Sequence, residues 1–416
     1  MNEPPVERYI LVAASTGDCE SAEASLSELA MLVDTAGGKA VAKTVQSLDR
    51  INSATYVGKG KAEELTRLME EFEADGIVCD DELTPVQIRN LSEITGKKVI
   101  DRTILILDIF AAHSRTAEGK LQVEMAQLKY RASHLTGAGQ ALSRLGGGIG
   151  TRGPGEKKLE SDRRAIRKRI SVLSGELEKL KKSRETARKR RMQSRIPVIA
   201  IAGYTNAGKS TLLNRLTSSD VPEEDKLFAT LDPTTRSCIL PGGGKVLFTD
   251  TVGFINKLPH HLIDAFRSTL EEAGFSDMIL HVVDASDPEC ELHMKVVHDT
   301  LKELGVLDKP MITVFNKMDI VCDGVFLRDP AADAVVKISA KDGEGIETLL
   351  STVQDIILNG QTYINKIIGY SEAGIIERIR STGYLIKEEY LPGGILVEAY
   401  VPAEMIHNPG TSSVVY

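Results

Sequence analysis

The octapeptide Gly203-Tyr-Thr-Asn-Ala-Gly-Lys-Ser210 constrains the fold of this chain more than any other segment. It follows the apolar run 197–202 and leads into a helical pattern, Thr211–Leu216. A strand, a glycine loop and a helix in that order are the context that a phosphate-binding loop needs. Glycine lets the backbone turn its N–H groups toward phosphate oxygens, and the helix N-terminus adds a positive dipole end. The segment therefore predicts an α/β domain with a nucleoside triphosphate site, and a chance glycine turn is the alternative.

The side chains at the end of this loop carry the predicted chemistry. Lys209 can reach the β- and γ-phosphates, and the Ser210 hydroxyl can ligate Mg²⁺. The residues expected to contact the nucleotide here are Gly203, Tyr204, Thr205, Asn206, Ala207, Gly208, Lys209, Ser210 and Thr211.

A second motif, Asp250-Thr-Val-Gly253, follows the predicted strand 245–249. An Asp at a strand end can hold Mg²⁺ through water, and the Gly253 N–H can meet the γ-phosphate. A threonine in the polar stretch Phe228–Arg236 can complete the Mg²⁺ shell while triphosphate is bound. We expect this to be Thr230, with Thr234 and Thr235 left open. The predicted catalytic residues are Lys209, Thr230 and Gly253, the metal ligands are Ser210, Thr230 and Asp250, and the further nucleotide contacts are Phe228, Ala229, Thr251 and Val252.

A third motif, Asn316-Lys-Met-Asp319, indicates which base is bound. It follows the predicted strand 311–315. A carboxylate at Asp319 can accept hydrogen bonds from guanine N1–H and N2–H₂, and adenine offers no such pair of donors. Lys317 would pack along the ring and Asn316 would tie this loop to the phosphate loop. Backbone contacts to the base are expected from Ser339, Ala340 and Lys341, so the ligands predicted are GTP and GDP.

Charge is concentrated in one segment. The chain carries a net −8, yet residues 156–195 hold sixteen Lys or Arg and six Asp or Glu, a local net of +10. A basic segment in an acidic protein suggests a nucleic-acid contact, and a solvated helix face is the alternative. No apolar run approaches the roughly 18 residues of a membrane span, and the scattered cysteines indicate neither a zinc site nor disulfides. These features, with no leader pattern at the start, predict a cytoplasmic protein without a membrane span.

The order of predicted elements divides the chain into four parts. An N-terminal α/β domain with a mostly parallel sheet covers 1–116, and a GTPase domain with a mostly parallel sheet flanked by helices covers 196–359. Between them, 117–195 has two apolar seams that predict an antiparallel helical hairpin. Its glycine-rich tip, 137–155, should not be helical and is expected to bind phosphates through Arg144 and Arg152, with a linker as the alternative. A small βαββ domain covers 360–416.

Three weaker features favour ordinary structural roles. The histidines at 260–261 and the pair His293 and His298 lack metal-ligand spacing. Residues 58–61 contain two glycines and two lysines, which favour a strand-to-helix turn over a phosphate site. The acidic residues 80–82 favour a solvated loop at a helix start over a metal site.

Together these motifs resemble those of translation-factor-related P-loop GTPases. The segments Phe228–Arg236 and Asp250–Phe254, with the glycine-rich run ending at Gly150–Glu156, resemble the HflX family along the whole chain. That resemblance implies a cytoplasmic GTPase that binds the large ribosomal subunit and its rRNA, and splits or rescues stalled ribosomes. A GTPase of ribosome assembly or RNA modification without splitting activity is one alternative, and a non-enzymatic adaptor is another. We expect a monomer.

One position departs from the pattern of Ras-like GTPases. They place a glutamine directly after the Asp-x-x-Gly motif to orient water, and this chain has Phe254 there. A phenyl ring cannot hydrogen-bond water as an amide does. We therefore expect slow intrinsic hydrolysis that a ribosomal partner accelerates.

Overall fold

The computed structural model describes residues 6–17, 19–143, 154–194, 196–217, 234–257, 274–321, 327–359, 361–382 and 384–402. The chain divides into two compact units. The first comprises Met1–Leu180, Glu224–Asp232 and Asn256–Arg267, and the second comprises Lys181–Glu223, Pro233–Ile255 and Ser268–Tyr416. The four-part division 1–116, 117–195, 196–359 and 360–416 stays a prediction.

A parallel four-stranded sheet forms the first part of the first unit. Its strand order is β2-β1-β3-β4, and its core lies between apolar strands and the helices that cover them. The strands are β1 (Arg8–Ser15), β2 (Lys39–Ser47), β3 (Gly76–Cys79) and β4 (Lys98–Asp101). The helices are α1 (Cys19–Thr35), α2 (Lys59–Glu71), α3 (Pro85–Thr95) and α4 (Arg102–His113). The predicted parallel α/β arrangement is confirmed.

Local signals set the ends of these helices. At α3, Thr84 and Gln87 form a capping box and Pro85 occupies the first helical position, so the orphan N–H groups are satisfied. Gly96 ends the same helix at φ 67°, a left-handed conformation that glycine adopts without steric cost. Helix α2 begins directly after Gly58, as expected for a strand-to-helix turn at residues 58–61.

Two long helices follow, α5 (Ala117–Ser143) and α6 (Pro154–Ser194). The expectation that 137–155 is non-helical is wrong for 137–143, where α5 continues. Only two of those seven residues are glycine, and each costs about 1 kcal/mol of helix propensity, a cost that the neighbouring helix formers offset. Residues 144–153, including Arg144 and Arg152, lie outside the described residues.

The buried face of α5 differs from the predicted apolar seam. Val123, Ala126 and Tyr130 are buried, whereas Leu121 and Met125 are half-buried. Val123 and Ala126 are small enough for close packing, and the Tyr130 hydroxyl donates to Asp101 at 2.8 Å, so this face rather than the leucine stripe is buried. In α6 the predicted seam residue Leu173 is fully buried.

A six-stranded sheet is the centre of the second unit. Its order is β10-β9-β8-β5-β7-β6, parallel except for the β6–β7 pair. The strands are β5 (Val198–Gly203), β6 (Thr234–Ile239), β7 (Lys245–Asp250), β8 (Met278–Asp284), β9 (Met311–Asn316) and β10 (Ala334–Lys337). The helices are α7 (Lys209–Thr217), α8 (Cys290–Glu303) and α9 (Ile346–Ile357). Because the parallel strands end at one edge, the three sequence motifs are brought to that edge.

The last elements form an antiparallel sheet of order β11-β13-β12 with one helix, as the βαββ pattern predicted. They are β11 (Gln361–Ile368), α10 (Ala373–Thr382), β12 (Tyr384–Leu391) and β13 (Gly394–Pro402). Among the helices in the described ranges, none has the length and apolar character to cross a membrane.

Candidate nucleotide-binding site

The loop between β5 and α7 has glycines where no other residue fits. A Cβ on Gly203 would lie 2.2 Å from the Val282 carbonyl oxygen, so β5 and β8 approach too closely for a side chain. Gly208 has φ 88°, and a Cβ there would lie 2.3 Å from Nδ2 of Asn316. The loop can therefore curl over the sheet edge and expose its N–H groups.

Lys209 and Ser210 lie at the start of α7. The Lys209 ammonium donates to the Tyr204 carbonyl at 2.6 Å, and burial lowers the pKa of Lys209 to about 8. An anion at this point would favour the charged amine and restore its pKa. The Ser210 hydroxyl donates to Oδ2 of Asp250 at 2.9 Å, which brings together two of the three predicted metal ligands.

The backbone of the segment after β7 is hydrogen-bonded to the phosphate loop. The Phe254 N–H donates to the Gly203 carbonyl at 3.1 Å, and the Thr205 N–H donates to the Phe254 carbonyl at 2.7 Å. The Phe254 side chain is buried. A Cβ on Gly253 would lie 2.8 Å from Cγ2 of Thr205, so only glycine allows this approach. The Thr251 hydroxyl donates to the Ile201 carbonyl at 2.8 Å. This hydrogen bond connects the end of β7 to β5.

Asn316 joins the phosphate loop to the loop after β10. Its Nδ2 donates to the Ala207 carbonyl at 2.9 Å, and its Oδ1 accepts from the Ala340 N–H at 2.9 Å. Its side chain is buried. One amide thus holds in register two segments that are more than a hundred residues apart along the chain.

The base-recognition residues lie beside Asn316. Lys317 adopts φ 62° and its ammonium lies 2.7 Å from Oδ2 of Asp284. The short 3₁₀ helix Met318–Ile320 follows, with Asp319 exposed to solvent. The Ser339 hydroxyl donates to Asp342 at 3.0 Å, which shapes the adjoining loop.

Two contributors were missed by sequence reasoning. Arg215 on α7 donates to the carbonyls of Ala340, at 3.0 Å, and Lys341. His293 on α8 stacks on Tyr204 with ring centroids 3.8 Å apart. No local signal marks either residue, because each acts across the fold on a segment distant in sequence.

Some predicted site residues have no described position. Phe228, Ala229 and Thr230 lie outside the described residues, as do the histidines at 260–261. The alternatives Thr234 and Thr235 begin β6, and the Thr235 hydroxyl lies 3.0 Å from that of Thr249.

The prediction of a solvated loop at residues 80–82 is wrong for Asp80. This carboxylate is fully buried in the first unit, 2.8 Å from Nη1 of Arg102 and 2.7 Å from the Ser25 hydroxyl. Lys257 also pairs with Asp80 and lies 2.9 Å from Asp81. Arg102 and Lys257 are 22 and 177 positions away from Asp80 along the chain, so the local acidic pattern could not predict that these cations surround it.

The site defines a P-loop GTPase. It combines a phosphate loop at a strand end, an Asp-x-x-Gly segment and an Asn-Lys-x-Asp segment, and Asn316 connects the last of these to the phosphate loop.

Three family models match successive parts of the chain: GTP-binding GTPase N-terminal over 23–111, GTP-binding GTPase Middle Region over 113–191, and 50S ribosome-binding GTPase over 198–317. The GTPase HflX of Lacrimispora saccharolytica is 59% identical over 399 residues, covering 96% of this chain and 94% of that protein. The GTPase HflX of Escherichia coli is 41% identical, covering 79% of this chain and 78% of its own length.

The chain belongs to the HflX family of GTPases, and its activity is the hydrolysis of GTP. Among solved structures, a GTP-binding protein from the archaeon Sulfolobus solfataricus in complex with GDP is 25% identical, with a TM-score of 0.46. The match covers 84% of this chain and 98% of that one.

Proposed function

We propose that this GTPase is a cytoplasmic, monomeric factor that binds the large ribosomal subunit and splits or rescues stalled ribosomes, with hydrolysis timing its release. The match of residues 198–317 to the 50S ribosome-binding GTPase model carries the proposal. The family relationship along nearly the whole chain supports it.

The basic helix α6 supports a contact with rRNA. Among its described side chains, Arg164, Arg167, Lys168, Lys181 and Lys182 are exposed. Phosphates of rRNA need cationic partners, and binding of this kind weakens as salt rises. Arg169 is engaged within the protein, bonded to Glu124 at 2.7 and 2.8 Å, and Arg164 is bonded to Glu160 at 3.2 Å. We therefore assign the binding surface to other exposed cations along the helix, such as Arg167, Lys168 and Lys181.

The site geometry supports the roles that we propose for the nucleotide-binding residues. The Ser210 hydroxyl and the Asp250 carboxylate are oxygen donors of the kind that Mg²⁺ prefers, and Thr230 is proposed to join them. Bound Mg²⁺ would neutralise charge on the β- and γ-phosphates. Lys209 would hold the same phosphates, the Gly253 N–H would meet the γ-phosphate, and the exposed Asp319 would select guanine.

Hydrolysis is proposed to depend on the ribosome. Phe254 is buried and fixed by two backbone hydrogen bonds to the phosphate loop, so its position offers no side-chain group to orient the attacking water. Single-turnover GTP hydrolysis should be slow for the protein alone and faster with large subunits. Equal rates in the two conditions would contradict this step.

Splitting and assembly are distinguished by sedimentation. Intact ribosomes are incubated with the protein and a non-hydrolysable GTP analogue, then separated on a sucrose gradient. The appearance of free subunits supports splitting. An assembly role is supported if the ribosomes stay intact and the protein comigrates only with immature large subunits.

A further inference from the structure

Two histidines and one aspartate that belong to none of the nucleotide motifs meet in the second unit. Nε2 of His298 on α8 lies 3.0 Å from Oδ2 of Asp329, and Nδ1 of His281 on β8 lies 3.6 Å from the same oxygen. All three candidate donor atoms lie within 4.8 Å of one another. Leu280 and Val282 face the main core, so alternation along β8 turns His281 to the opposite face of the sheet.

The cluster is buried, and one of its donor atoms makes no hydrogen bond to a described residue. Side-chain exposure is 1% for His281, 3% for Asp329 and 19% for His298. Within the described part of the chain, Nδ1 of His281 is buried without a hydrogen bond. Buried polar atoms are normally satisfied, so this nitrogen indicates a missing partner inside the cluster.

We propose that His281, His298 and Asp329 bind a divalent transition-metal cation of the Zn²⁺ class. Two imidazoles and a carboxylate suit such ions, whereas Mg²⁺ favours sites made of oxygen atoms alone. The cation would give Nδ1 of His281 its partner, and partial exposure of His298 leaves a route for entry.

Neighbouring groups already orient the carboxylate. The Thr313 hydroxyl donates to Oδ2 of Asp329 at 2.6 Å, and the Ala331 N–H donates to Oδ1 at 3.0 Å. Outer contacts of this type fix the direction of a metal ligand before the ion binds.

A cavity of about 370 Å³ is lined by residues that are neighbours of His298 and Asp329 along the chain. Its lining includes Met294, one helical turn before His298, and Arg328 and Pro330, which flank Asp329. Three protein ligands leave at least one coordination position open, which water or a small ligand would fill.

Spacing along the sequence could not reveal this site. The donors come from β8, from α8 and from the segment before β10, and the nearest two in sequence, His281 and His298, lie on different elements. The helical pattern around His298 alone predicts an ordinary helix histidine, because neither of the other donors belongs to that helix.

The test uses the full chain, freed of nucleotide and kept in excess Mg²⁺ so that the oxygen site is blocked. Strong Co²⁺ absorption in the visible range reports a protein site of low coordination number rather than the octahedral hydrated ion, and calorimetry with Zn²⁺ gives affinity and stoichiometry. We expect one ion per chain. His298→Gln should weaken affinity by more than about 100-fold, and Thr313→Val, an outer contact, by about 10-fold.

His293→Gln is the matched control, because this histidine is on the same helix and outside the cluster. Its metal affinity should stay within about twofold of the unaltered protein. Zinc should also raise the thermal midpoint of the unaltered protein and not that of His298→Gln.

X-ray absorption on the zinc-loaded, unaltered protein needs no variant and keeps the test valid if His298→Gln folds poorly. Two imidazole ligands are expected. A ligand shell of oxygen atoms alone, no Co²⁺ band, or equal affinity in a folded His298→Gln would overturn the proposal and assign the cluster to hydrogen bonding only. None of these results depends on GTP hydrolysis or ribosome binding.

Discussion

Substitution of Asn316 by alanine should separate the two loops that hold the nucleotide. Asn316 is 2% exposed and its amide makes hydrogen bonds at 2.9 Å to the Ala207 carbonyl and the Ala340 N–H. Alanine supplies neither partner. Both backbone groups belong to buried residues, so water cannot replace these hydrogen bonds without opening the site.

The magnitude follows from those two groups. A buried polar group left unpaired costs about 1–3 kcal/mol, so the two groups together cost about 2–6 kcal/mol if nothing relaxes. Relaxation of the loop that contains Ala340 recovers part of this in the nucleotide-free protein. Nucleotide binding must then reassemble the loops, and we expect the Kd for GDP to rise about 30- to 300-fold, corresponding to about 2–3.5 kcal/mol.

Two assays measure the two parts of this effect. Equilibrium titration with a fluorescent GDP analogue gives the affinity, and hydrogen exchange of the peptide containing Ala340 reports the local decrease in protection. Asn365→Ala is the control, since Asn365 is exposed on β11 of the same unit and should change neither quantity. An Asn316→Ala protein with the affinity and the exchange rate of the unaltered protein would refute the reasoning.

Three further predictions rest on charge. Lys257→Met should lower the free energy of unfolding of the first unit by about 2 kcal/mol in calorimetry, because buried Asp80 is deprived of a cation; the value is below that of a fully buried pair since Lys257 is partly exposed. The pKa of Lys209 is lowered from 10.5 to about 8, so between these pH values the unfolded chain holds a proton that the folded chain releases. The free energy of unfolding of the nucleotide-free protein should therefore rise with pH in this range, by at most about 3 kcal/mol relative to that of Lys209→Met. Urea unfolding measures both proteins, and a difference between them that does not change with pH would contradict this. Arg167→Gln with Lys168→Gln should weaken binding to large subunits and reduce the slope of log K against log salt by about 0.7–0.9 for each rRNA phosphate that the variant no longer neutralises; an unchanged slope would remove this surface from the interface.

The motifs could be predicted from sequence because each is built from residues close together along the chain. A strand, a glycine turn and a helix start are local structures, and the parallel sheet brings the ends of β5, β7 and β9 to one edge. The steric limits at Gly203 and Gly208 arise in the same way, because a loop that curls over a sheet edge approaches the neighbouring strand too closely for a Cβ.

Other features depend on contacts that no local pattern encodes. The basic composition of α6 was visible in the sequence, yet the pairing of Arg169 with Glu124 was not. The leucine stripe of α5 predicted a seam, whereas packing placed Val123, Ala126 and Tyr130 inward. Helix periodicity restricts a buried face, and the shape of the partner surface then selects it.

The amino-acid sequence by itself determined the GTPase class of this protein and its order of elements, and it predicted specificity for guanine, because these follow from short segments and their spacing. Only the tertiary structure decided that Asp80 is buried against Arg102, that Arg215 holds the loop at Ala340, and that His281, His298 and Asp329 meet. The physical reason is the same for each. A buried charge, amide or imidazole is defined by the groups that surround it, and folding draws those groups from distant parts of the chain.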